Sequence, residues 1–103
     1  TIKQIFSKIS SILLSYDISN DKVRKKVFDY LLEKGFLRIQ NSVFLGEIHI
    51  SKIDDILENI CLIVDKDEDS IICIPINKED YDNIFNFGKN SDYNLYKDEV
   101  LYI

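Results

Sequence analysis

The chain has 103 residues, 46% hydrophobic and 30% charged, the composition of a single globular domain. The net charge of −5 argues against generic nucleic-acid binding. No apolar run reaches the ~18–20 residues that span a bilayer, and no basic, apolar and small-residue series marks a secretory signal.

Residues 1–10 carry Ile2, Ile5, Phe6 and Ile9. That spacing suits a short amphipathic helix or a lengthened strand. The chain opens on Thr1 and contains no Met, so the native start is expected to be trimmed or missing. Residues 11–18, SILLSYDI, form an apolar run bounded by polar residues, which predicts a buried strand. Asp17 sits at its end. An ionised group beside a buried strand needs a partner or an ion. Asp17 either caps the following turn or serves as a metal ligand at a strand's C-terminal end.

Asn20 or Asp21 starts a helix, since both residue types cap well. Val23, Val27, Tyr30 and Leu31 recur with helical spacing and form one apolar face, widened by Phe28 and Leu32. Lys22, Lys25, Lys26, Asp29 and Glu33 fall opposite, and Gly35 stops the helix as a left-handed cap. Arg24 breaks the pattern by lying inside the apolar arc. It either snorkels over the sheet edge or contacts phosphate near Asp17. Residues 36–50 read as a hairpin turning at Asn41-Ser42, with Gly46 as a bulge or bend, or else as one long strand.

Ser51 caps a second predicted helix over 51–62, whose core face is Ile53, Ile56, Leu57 and Ile60. His49 has no acid–base partner in view and reads as structural. The acidic run Asp65-Lys66-Asp67-Glu68-Asp69-Ser70 starts like a calcium loop. It lacks the glycine and the closing glutamate, so it reads as a solvated turn. Residues 71–76 predict a strand with Pro75 near its end. Asn77 then caps a short helical turn whose Tyr81, Ile84 and Phe85 face inward and which Gly88 stops. Residues 89–94 are loop-like, and Val100 to Ile103 suit a last strand. The whole order is βαββαβ plus a fifth strand, an α+β pattern with an antiparallel sheet and two helices on one face.

Cys61 and Cys73 form no CxxC pair, so both are expected to be buried thiols in a reducing cytoplasm. The charge is uneven. Residues 1–50 hold eight Lys/Arg and five Asp/Glu, net +3, and residues 51–103 hold five and thirteen, net −8. A local basic patch can therefore meet phosphate although the whole chain is acidic. Lys22, Lys25 and Lys26 are otherwise a solvated helix face.

Three blocks in order resemble the CRISPR-associated "Cas two" family, the small partner of the spacer-acquisition integrase. They are Tyr16-Asp17-Ile18 at a strand end, the basic residues Lys22, Arg24, Lys25 and Lys26, and Gly35 followed by Arg38-Ile39-Gln40-Asn41-Ser42-Val43-Phe44. The likeness runs from about residue 11 to about residue 88. It implies a ferredoxin-like fold over one domain, 1–103, with residues 1–10 as an N-terminal extension and 95–103 as a strand for dimerisation. It also implies a cytoplasmic homodimer with Mg²⁺- or Mn²⁺-dependent endonuclease activity on RNA or DNA. Asp17 matches the metal-associated aspartate. Tyr16, Arg24, Arg38, Ser42 and Phe44 match positions tied to activity or site shape. Lys22, Arg24, Lys25, Lys26 and Arg38 are the expected nucleic-acid contacts. Arg24 and Arg38 would position phosphate, and Phe44 would stack on a base or shape the pocket. One carboxylate per chain is a thin metal site, which two chains across a dimer axis would double. The alternatives are a non-catalytic adaptor bridging integrase dimers on DNA, a related toxin-type RNase, and a small-molecule regulatory domain. The acidic second half and the extension depart from the family pattern.

Overall fold

A computed structural model describes residues 9–85 and Phe87. Strand β1 spans Ile9–Asp17. It alternates strictly, with Ile12, Leu14 and Tyr16 buried on one face and Leu13 half-buried on the other. Ile9 and Ser10, counted above with the extension, thus belong to the strand. Residues 1–8 lie outside the described residues.

Helix α1 spans Asp21–Glu33. The Asn20 side chain accepts from the amides of Lys22 at 2.9 Å and Val23 at 3.0 Å, satisfying two amides of the first turn. The helix ends as a Schellman motif. Gly35 takes a left-handed φ of 95°, its amide donates to Leu32 O, and the Phe36 amide donates to Leu31 O. Val27 and Leu31 are fully buried. Leu32, expected to widen that face, lies at its rim and is exposed.

The hairpin is real: β2 is Leu37–Gln40 and β3 is Val43–His49. Gly46 is not its irregular point. The β1–β3 register runs unbroken past Gly46, and the irregularity falls between Arg38 and Gln40 on β2. Gly46 serves packing instead. A Cβ there would stand 2.6 Å from the Phe36 ring, which is itself buried. Gly46→Ala should therefore destabilise the protein by about 1–3 kcal/mol through overpacking. The measurement is a fall in the denaturant midpoint at constant m-value. An unchanged midpoint would mean that the Phe36 ring shifts freely.

A 3₁₀ turn over Ile50–Lys52 precedes α2, Ile53–Ile63. Ser51 therefore does not cap the helix. Its hydroxyl is hydrogen-bonded to His49 Nδ1 at 2.9 Å. Ile56 and Ile60 are buried, with Ile53 and Leu57 packed beside them. Cys61 lies past that stripe and is exposed, while Cys73 is half-buried, and both are free thiols. The expected burial of Cys61 thus fails, because the inward stripe runs through Ile56 and Ile60.

Strand β4 spans Ser70–Ile76. Among the described residues it pairs with β1 alone, so Pro75 stands near the end of an edge strand, where a missing donor is tolerated. A short helix α3, Lys78–Asp82, follows under the Asn77 cap. Its stop is Asn83, whose side chain donates to Glu79 O at 2.9 Å, and not Gly88. Tyr81 is buried and Ile84 packs beside it, but Phe85 is 91% exposed, so it does not face inward. Gly88, the loop over 89–94 and the last strand at Val100 to Ile103 lie outside the described residues.

The sheet order is β2-β3-β1-β4, all antiparallel. With the βαββαβ chain order this is a ferredoxin-like fold. Helices α1 and α2 cover one face, where Ile12, Leu14, Phe44, Leu31 and Ile60 form the core. A smaller cluster of Ile39, Leu45 and Tyr81 lies apart from it, with Leu13, Val43 and Ile76 packed against it. Ile9, Ile72 and Ile74 stay exposed. Among the described residues, no helix is long and apolar enough to cross a membrane.

Candidate functional site

The end of β1, the first turns of α1 and the β2–β3 turn converge on one open cleft of ≈ 720 Å³. This follows from topology. β1 and β2 flank β3, so the C-terminal end of β1 and the β2–β3 turn lie at the same end of the sheet. The Tyr16 amide donates to Ser42 O at 3.1 Å and ties the two together.

Six of the predicted residues line this cleft: Tyr16, Asp17, Arg24, Lys25, Arg38 and Ser42. Phe44 does not. It is fully buried below the cleft, 5.6 Å from Tyr16 and 5.9 Å from Phe28 between ring centroids. The base-stacking role fails on burial, leaving a supporting one. Lys22 and Lys26 stand outside the cleft on an exposed face of α1. Phe28, Asn41, Asp21 and Ile18 also line the cleft and were not singled out as site residues. Helical spacing carried a signal for Phe28: it lies one turn past Arg24, on the same face.

The two arginines differ. Arg24 Nη1 donates to Ile18 O at 2.8 Å, and Nη2 pairs with Asp21. Of the two expectations for Arg24, the structure bears on the first: its head reaches out of the apolar arc and closes the β1–α1 loop at the cleft. Arg38 makes no ion pair among the described residues. Its guanidinium sits over the Phe28 ring, 5.4 Å from the centroid. Lys25 is paired with Asp29 at 2.8 Å on the exposed face.

Asp17 is exposed and has no hydrogen bond or ion pair among the described side chains. It does not cap the following turn: that cap is Asn20. Among the described residues, no cluster of three His, Cys, Asp or Glu could cage a metal. Asp17 still fits Mg²⁺, which is commonly held by one or two carboxylates and keeps several waters. The acidic run is a hydrogen-bonded turn. Asp69 accepts from the Asp65 amide at 2.9 Å and the Ser19 amide at 3.3 Å. His49 pairs with Ile9 at the far end of β1, away from the cleft.

Burial pushes the Tyr16 phenol above its usual range, against the opposing pull of Arg24 and Arg38. Burial also raises the Cys73 thiol. For both, the folded chain holds the proton more tightly than the unfolded chain. Their contribution to stability is complete below the unfolded values and is lost as pH rises past about 8.5 for Cys and 10 for Tyr. Melting temperature should fall in that alkaline window, and Tyr16→Phe with Cys73→Ala should flatten the fall. An equally steep fall in the double variant would assign it to other groups.

An α+β domain of ferredoxin-like topology, with a cleft of carboxylate, arginine and hydroxyl at one sheet end, is a class suited to phosphate chemistry. The profile of the family described as "CRISPR associated protein Cas2" matches residues 10–84, and the chain belongs to that family. It is 31% identical over 68 residues to the CRISPR-associated endoribonuclease Cas2 of Desulforudis audaxviator, covering 66% of this chain and 64% of that one. It is 43% identical over 49 residues to the CRISPR-associated endoribonuclease Cas2 2 of Pyrobaculum aerophilum, covering 48% of this chain and 54% of that one. The matches thus span less than two thirds of these two relatives' own length. The crystal structure of Streptococcus pyogenes Cas2 is similar at a TM-score of 0.68 and 25% identity, covering 76% of this chain and 99% of that chain.

Proposed function

We propose that the protein is a metal-dependent endoribonuclease acting in CRISPR adaptation, with the cleft at Asp17 as its active site. The observation that carries this reading is an open cleft lined by Asp17 and Arg38, neither of which has an ion pair among the described residues. Asp17 would hold Mg²⁺ or Mn²⁺. Such an ion, held there, would supply charge neutralisation at a scissile phosphate and activation of water. Arg38 meets a phosphate oxygen with its planar donor set. Tyr16, a phenol neutral at physiological pH and raised further by burial, can donate a hydrogen bond and is no general base there. Arg24 holds the loop that presents Asp17, through Ile18 O and Asp21. Ser42 adds a hydroxyl from the β2–β3 turn.

The proposal includes a homodimer. A second copy would add a second Asp17, and the exposed Ile72 and Ile74 of β4 offer an apolar surface for it. The adaptor reading, a dimer bridging integrase subunits on DNA, is favoured by one observation: among the described residues no three His, Cys, Asp or Glu side chains group to hold a metal. Incubation with single-stranded RNA and duplex DNA, in Mg²⁺, Mn²⁺ or chelator, tests the first reading. Capture of the integrase tests the second. Metal-dependent cleavage supports the nuclease; capture without cleavage in any condition supports the adaptor.

A further inference from the structure

We propose that Phe28 is a positioning residue for Arg38, a shelf that aims the guanidinium into the cleft as its phosphate contact. The inference rests on the nucleic-acid reading above and names a residue that reading does not use. Arg38 comes from β2 and Phe28 from the middle of α1, so the contact joins sheet to helix across the cleft wall. The guanidinium carbon lies 5.4 Å from the Phe28 ring centroid, within cation–π range. The ring is itself held. It meets Phe44 edge-on, with centroids 5.9 Å apart, and Phe44 is fully buried. Tyr16 also packs against Phe44, at 5.6 Å, so one buried ring contacts the residues beneath both the phenol and the arginine.

The chemistry favours this use of a ring. Its face attracts the cation without occupying any N–H donor. A carboxylate in the same place would consume donors and cancel the charge. Arg24 shows that contrast, since Asp21 and Ile18 O engage it. A free arginine loses side-chain entropy when it binds phosphate. An arginine already resting on a fixed ring loses less, which raises affinity without a new ligand contact.

The test is a double-mutant cycle on binding of a mixed-sequence single-stranded RNA oligonucleotide, measured in chelator so that cleavage does not intervene. Phe28→Leu should weaken binding about two- to five-fold, the worth of an exposed cation–π contact. Phe28→Tyr, which keeps the ring, should bind like the parent. In an Arg38→Ala background, Phe28→Leu should cost nothing further. Thermal melting checks that each variant folds, and Phe28→Met replaces the leucine variant if that one does not. Additive losses would overturn the proposal by showing that Phe28 acts apart from Arg38. Parent-like binding by Phe28→Leu alongside weakened Arg38→Ala would also overturn it and leave the nucleic-acid reading standing. Parent-like binding by Arg38→Ala would remove that reading, and the shelf with it.

Discussion

Asp17→Asn should abolish Mg²⁺- or Mn²⁺-dependent cleavage while leaving the fold intact. Asp17 is an exposed strand-end residue with no partner to lose among the described side chains. Its neutral amide therefore costs little stability, and surface changes of this kind fall within about 0.5 kcal/mol. The activity loss should be far larger, on the order of 10²-fold or more, as when one preorganised electrostatic contact to the reacting group is removed. A second readout separates binding from turnover: Mn²⁺ titration followed by paramagnetic resonance should show weaker retention by the variant. A variant that cleaves at the parent rate would remove Asp17 from the active site. Loss of cleavage with unchanged Mn²⁺ retention would place the ion elsewhere.

The elements were legible because their signals are local. The alternation of β1, the Asn20 cap, the helical stripe of α1 and the Gly35 stop each depend on a few neighbouring residues. What failed depended on tertiary contact. Nothing near Gly46 in the chain announces that Phe36 will press against it, so a packing glycine reads as a bulge. Ser51 looks like a cap until the 3₁₀ turn displaces the helix start. Phe85 looks inward by spacing, yet α3 ends too soon to carry it there. The same division runs through the site. Asp17, Arg38 and Ser42 were found from the strand end, the hairpin and the family likeness, and the fold does bring them together. The different states of the two arginines could not be read, because Arg24 is engaged by Ile18 O, a backbone atom, and Arg38 rests on a ring ten residues away.

Charging the exposed isoleucines of β4 should dissolve the proposed homodimer. Ile72 and Ile74 are 59% and 47% exposed in one copy, beside Leu13 on β1, and among the described residues neither joins a hydrophobic cluster with a helix. Covering the remaining half of each side chain would contribute about 0.7–1.5 kcal/mol. A two-fold interface uses each side chain twice, so the pair accounts for about 3–6 kcal/mol. Ile72→Glu with Ile74→Glu removes that term and sets like charges across the axis. The dissociation constant should rise by at least two to four orders of magnitude, since each 1.4 kcal/mol is about tenfold. The monomer should keep its fold, with its melting temperature lowered only by the half of each side chain already covered. Sedimentation at graded concentration reads the result. If the doubly charged variant stays as tight a dimer as the parent, the sheet face is not the interface. Truncation of residues 95–103, which lie outside the described structure, then tests the exchanged strand. If both changes weaken the dimer, face and strand act together. The cleavage site is then expected to lose activity with the dimer, because one copy alone brings a single Asp17 to the phosphate.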